Sequence, residues 1–101
     1  MESPFQEALM SSEIVKLEGV LNIAKAEALH AEFEGLEKNG RPLIINASDV
    51  SRVDTSILQL LVALFRSLAA LHVEVKWAGI SDEFKASAKL LGLEAELNLN
   101  L

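Results

Sequence analysis

Asp54, Thr55 and Ser56 form the group of side chains in this chain best suited by type and spacing to a chemical event. A carboxylate and two hydroxyls stand together and run directly into Ile57 to Phe65, an apolar segment broken only by Gln59. If that segment is a helix, the three lie at its mouth, where the positive end of the helix dipole and several unpaired backbone N–H groups collect. Such a place receives a phosphate well. Asp, Ser and Thr are also ordinary N-cap residues, and capping accounts for any one of them. It does not account for three together at the end of a βα loop, the rim where ligands and partners meet open α/β sheets.

Conventional catalysis has few parts to draw on. His30 and His72 are isolated, there is no cysteine, and no His-x-x-x-His or Glu-x-x-His pairing is present to hold a metal. Both histidines are read as structural or solvent-facing. The five glycines are scattered, with no G-x-S-x-G elbow, no GxxxxGK[ST] loop and no GxGxxG. The sequence therefore predicts a protein that is not an enzyme and uses no metal or cofactor.

The elements that position the cluster must fit in 101 residues, half of them apolar and only 5% aromatic. That length suits one domain with an aliphatic core, expected over residues 12–101, preceded by a flexible lead-in at 1–11. The net charge of −6, with nine basic residues placed singly, argues against nucleic acid, because phosphate contacts need clustered Lys and Arg. The absence of cysteine excludes disulfides and thiolate chemistry and fits a reducing cytoplasm. The first residues carry acids and lack a basic region followed by an apolar core, so no secretory signal is read and a cytoplasmic location is expected. The run Ile57 to Phe65 is far shorter than the ~20 residues of a membrane span, so no membrane insertion is expected.

Periodicity orders the chain. Ile14 to Leu17 and Val20-Leu21 read as two short strands joined at Glu18-Gly19. Ile23 to about Lys38 reads as a helix, with Asn22 as N-cap and Lys38-Asn39-Gly40 as its stop. Pro42 to Asn46 reads as a central strand buried on both faces, and Ala47 to Val53 as a polar connection. The second helix is expected over Ser56 to about Leu71, with an apolar arc approaching 200°. Leu58 and Val62, at the edge of that arc, are candidates for a partner or for cover by a neighbouring helix. Val73 to Ala78 reads as a strand and Ser81-Asp82-Glu83 as the start of a third helix, closed at Gly92. Ala95 to Leu99 is a possible last strand. The expected fold is α/β, a small, mostly parallel mixed sheet of about five strands with three or four helices, in the order β-β-α-β-α-β-α-β.

In that frame the sequence from about Ser12 to Leu99 resembles the STAS domain. The landmarks are Gly19-Val20-Leu21-Asn22-Ile23, the apolar strand Leu43 to Asn46, the motif Val53-Asp54-Thr55-Ser56-Ile57-Leu58, and Leu90-Leu91-Gly92-Leu93. The resemblance implies a non-enzymatic protein-interaction module of bacterial signalling. Its favoured version is an anti-sigma factor antagonist in transcription regulation, phosphorylated by a partner serine kinase. The hydroxyl residue after the motif Asp is the acceptor in that family, which assigns the role to Thr55, with Ser56 as fallback. Asn22, Asn46, Asp54, Ser56, Ile57, Leu58, Gln59 and Val62 are the expected partner-binding residues. Alternative implied roles are a constitutive STAS subunit of a phospholipid-transporting ABC complex or an adaptor of a chemotaxis-like system. The partners implied are thus an anti-sigma factor and serine kinase, or ABC transporter subunits. Ile57 stands where the family usually keeps glycine and is expected to add bulk at the rim, against the approach of a kinase. Asn22 and Asn46 stand where acids are common, which removes two charges near the motif.

Overall fold

The computed structural model describes residues 12–99, and the lead-in expected at 1–11 lies outside them. The elements are β1 (Glu13–Leu21), a 3-10 turn (Ile23–Lys25), α1 (Ala26–Asn39), β2 (Leu43–Val53), α2 (Thr55–Ala70), β3 (Val75–Ile80) and α3 (Asp82–Leu90). Among the described residues both strand pairings are parallel and the sheet order is β1-β2-β3. The sheet therefore steps in one direction with each crossover. Right-handed crossovers of that kind place their helices on one face, and Trp77 of β3, packed against both Phe65 of α2 and Phe84 of α3, brings α3 to the same side.

The described residues form three strands rather than about five, and each difference has a local cause. The two short strands expected around Gly19 are one strand, β1, with register shifts against β2 between Lys16 and Glu18 and between Gly19 and Val20. Gly19 has φ +70, which a glycine takes without the steric cost of a side chain. A glycine serves a bulge and a turn equally well, and here it serves the bulge. The polar connection expected at 47–53 continues β2, pairing Asp49, Val50, Arg52 and Val53 with the second half of β1. Its polar side chains face away from the helices while Val50 and Val53 stay buried. Ala95 to Leu99 forms turns rather than a strand, anchored by buried Leu97 and Leu99 and by the Trp77 indole N–H donating to Leu97 O at 2.7 Å.

The central strand is covered on one face rather than two. Leu43, Ile45 and Ala47 point into the helices and are buried, whereas Ile44 and Asn46 on the opposite face are only half-buried. Ile14, paired with Ile44, is 66% exposed. On that open face Lys16 Nζ lies 3.1 Å from Asp49 Oδ2. The hydrogen bond and charge of Asp49, helped by Glu18, raise the Lys16 pKa above its ordinary 10.5. A raised lysine pKa contributes stability that is present below the unfolded value and lost as pH rises through the folded one. Its effect is therefore confined to alkaline solution.

The core is aliphatic around a small aromatic group. Ile57, Leu58, Leu61, Leu64 and Leu68 of α2 share one buried cluster with Val15, Leu17 and Ile45 of the sheet, and the ring centroids of Trp77 are 5.7 Å from Phe65 and 5.3 Å from Phe84. Gly79 lets bulged β2 pass close to β3: a Cβ there would lie 3.1 Å from Ser48 Cβ, tighter than ordinary contact. The ends of α1 and α3 fall where expected, at Gly40 and Gly92. Ser81, nearly buried, caps α3 by accepting from Phe84 N at 3.1 Å. Ser81→Ala is expected to cost about 1 kcal/mol. In a domain of this size that corresponds to a Tm lower by roughly 4–8 °C in a thermal melt.

Candidate functional site

Because the strands are parallel, their C-terminal ends gather on one rim. Asn22 follows β1, Asp54 follows β2 and Ser81 follows β3. Asn22 Oδ1 accepts from Ala24 N at 3.1 Å and closes the first turn of the 3-10 segment. The Asp54 N–H donates to Leu21 O at 2.9 Å, so the start of α2 is tied to the end of β1. The first two rim segments are thus one structural unit.

At α2 the capping arrangement differs from that at the other two. Asp54 occupies the N-cap position with φ −82 and ψ 157, and its carbonyl accepts from the N–H groups of Ile57 and Leu58 at 3.0 and 3.2 Å. Its side chain makes no cap bond. The carboxylate turns outward instead, with Oδ1 3.4 Å from Arg52 Nε. Among the described residues the N–H groups of Thr55 and Ser56 and both hydroxyls are therefore left without a protein partner. Capping, which accounts for Asn22 and Ser81, does not occupy these side chains. Thr55 is exposed and Ser56 half-buried.

The cluster opens onto a hollow of about 600 Å³, with Arg52, Asp54, Thr55 and Ser56 on one side and Leu90 and Leu91, at the end of α3, on the other. Leu90 is 87% exposed and Leu91 41%. Near Asn22 the same rim also carries Ile23 and Val20, 69% and 42% exposed. Large apolar side chains around an unoccupied polar group are the composition of a protein-docking surface: apolar anchors beside a directional polar centre. The sequence names these four residues only as landmarks of the family resemblance, not as site residues.

The structure brings together some of the expected site residues and withdraws others. Asp54, Thr55 and Ser56 share the hollow, Asn22 is joined to them through the Leu21 link, and Gln59 is exposed on the outer face of α2. Ile57, Leu58 and Val62 are 0%, 0% and 3% exposed, so the helix edge expected to meet a partner is packed into the core, with Leu58 also lining the hollow beside Asp54. The apolar arc of α2 is wide because the helix is covered by neighbouring helices as well as the sheet. Ile57 accordingly adds no bulk at the rim, and the expected obstacle to a kinase is absent. Ile57→Gly, which installs the residue usual in that position, is expected to destabilise the fold by about 4 kcal/mol through a core void and a helical glycine, measured by denaturant titration. Asn46 lies in mid-strand, away from the hollow, where its Oδ1 accepts from Ser48 N at 3.0 Å and Ser48 Oγ at 2.6 Å. It holds the β2 bulge within the strand. No group of three or more potential metal ligands occurs among the described residues, and no helix there is long and apolar enough to cross a membrane.

Comparison with known proteins places this arrangement. A family model described as "Mlab, STAS domain" matches residues 6–99. The chain belongs to the STAS family. Two solved structures extend the comparison. The crystal structure of "a putative anti-sigma factor antagonist" from Thermotoga maritima superposes with a TM-score of 0.72 at 16% identity, over 84% of this chain and 74% of that one. A structure named Mglu gives a TM-score of 0.59 at 26% identity over 67% of this chain, which spans only 17% of that protein's length. Both share this chain's fold over the residues covered. No curated protein matches the sequence. Within the STAS domain, the hydroxyl pair at the α2 N-terminus falls inside the matched span, on the rim that the parallel topology creates.

Proposed function

We propose that this STAS domain docks a protein partner on the rim around Thr55 and that phosphorylation of Thr55 ends the docking, as in an anti-sigma factor antagonist. The observation that carries the reading is the turned-out Asp54 carboxylate. It leaves an exposed threonine hydroxyl and two backbone N–H groups unengaged at a helix start, with exposed leucines across the hollow. An unmodified rim is apolar and weakly charged, so a partner covers it at low desolvation cost. A phosphate adds about −1.5 to −2 charges at pH 7. Arg52 and the helix N-terminus stabilise that charge in water, and a partner lying flush on it must strip its solvation beside Asp54.

The test is incubation with the cognate serine kinase and ATP, followed by intact-mass measurement and partner pull-down. A single phosphate lost in Thr55→Ala and retained in Ser56→Ala supports the assignment. No phosphate, or a phosphate retained in the double variant, removes the switch from this site.

A second reading, a constitutive subunit of a transport complex, draws support from Leu90 and Leu91, because a permanent interface needs more apolar area than a reversible one. It predicts a partner that stays bound through purification regardless of kinase treatment and is lost in Leu90→Glu. The burial of Leu58 and Val62 takes away the broader apolar face on which that reading would otherwise rest.

A further inference from the structure

A second surface, separate from Thr55 and independent of the reading above, lies along the outer edge of β3. β3 is the last strand of the described sheet, and β2 occupies only one of its edges. Leu43, opposite Val75, donates its N–H to Glu74 O at 2.8 Å. In a parallel ladder the residues flanking Val75 therefore make the bonds to β2, while the N–H and C=O of Val75 point outward; the same holds for Trp77, opposite Ile45. No bond from these outward groups is formed to the described residues.

A hollow of about 480 Å³ runs along this edge. It is lined by residues of both alternations of the strand, Val75 and Trp77 from one and Lys76 and Ala78 from the other, with Lys85 of α3 and Leu99 at its border. Residues that point to opposite faces of a sheet share a hollow only where it follows the strand's hydrogen-bonding edge. The charge at this edge is opposite to that of the molecule. In a chain of net charge −6 the lining holds two lysines and neither Asp nor Glu; Lys76 Nζ lies 3.4 Å from exposed Glu74 Oε1 just outside the hollow, a surface pair that an incoming carboxylate can replace, while Lys85 makes no ion pair among the described residues.

We propose that the β3 edge accepts an acidic, extended peptide segment of a partner protein as an added strand, with Val75 and Trp77 supplying main-chain bonds and Lys76 and Lys85 reading its charge. A second copy of this chain fits the edge poorly. Pairing β3 with itself would set Lys76 and Lys85 of one copy against those of the other.

Trp77 is the only tryptophan and the chain has no tyrosine, so its emission comes from one residue of this edge, whose ring also packs on Phe65 and Phe84, and the amide exchange of Val75 and Trp77 separates edge binding from a change in the core. The probe is an eight-residue peptide alternating Glu with Val, titrated into the full chain at low salt and compared with a Lys-Val peptide and with a Glu-Val peptide interrupted by proline. The expected result is a saturable change in Trp77 emission for the Glu-Val peptide, at least tenfold weaker for both comparison peptides and for Lys76→Glu/Lys85→Glu. Amide exchange is expected to slow at Val75 and Trp77 and to stay unchanged at Lys76 and Ala78, which already face β2. Thr55→Glu is expected to leave this binding intact. Absence of a saturable change, equal binding of the Lys-Val peptide, or slowed exchange without the alternation would overturn the proposal. So would concentration-dependent dimerisation that protects Val75 and Trp77 without peptide, because the occupant would then be a second copy.

Discussion

Thr55→Glu is expected to lower affinity for the rim's partner by 30-fold or more, about 2 kcal/mol or above, with the fold intact. The reason lies in the environment of residue 55. Its side chain is exposed, so a carboxylate is accommodated without disturbing the core, and the helix N-terminus and Arg52 favour an anion there. The penalty arises on docking, when an ionised group must lose water opposite an apolar surface without a dedicated cation on the other side. Thr55→Val removes the hydroxyl without adding charge and is expected to bind within a fewfold of the natural protein. Calorimetric titration of both variants checks the prediction, with circular dichroism to show equal folding. Equal losses for Val and Glu would mean that the hydroxyl itself is the contact, which is the behaviour of a permanent interface rather than a switch.

Phe84→Ala is expected to be the most damaging single truncation, at about 3–5 kcal/mol. Phe84 is fully buried, lies 5.3 Å from Trp77 in a tilted ring contact, and donates its N–H to the Ser81 cap. Small domains have only about 5–15 kcal/mol of stability in total. Loss of this ring therefore removes a large part of it and frees α3 from the sheet. Urea unfolding followed by Trp77 emission should show a midpoint far below that of the natural protein. A loss under 1.5 kcal/mol would mean that α3 is held mainly by its leucines.

The helices were legible from the sequence because their signals are local. Asn22, Gly40, Ser81 and Gly92 act at helix ends, and the apolar spacing of Ile57, Leu61, Leu64 and Leu68 sets the buried side of α2 without reference to the rest of the chain. The strands were less legible. Gly19 signals a break in regular structure without saying whether the strand turns or bulges. Ser48, Asp49, Ser51 and Arg52 conceal a strand because they lie on the exposed side of the sheet, and bulges give Ala47, Val50 and Val53 a spacing of three rather than two. The cluster at 54–56 was found by its residue types. Its surroundings were not, since Leu90 and Leu91 reach the same hollow only through the folding of α3 back against β2, which no local pattern encodes.

The outward turn of Asp54 means that the first turn of α2 is held less firmly than the fold allows. The helix starts with two N–H groups unengaged by the described residues and its acid paired with Arg52 instead. A phosphate on Thr55 would bring negative charge to the dipole and a new partner for Arg52. Under the proposed switch, modification is expected to stiffen the helix as it ends docking, so that the phosphorylated form melts at a higher temperature than the unmodified one.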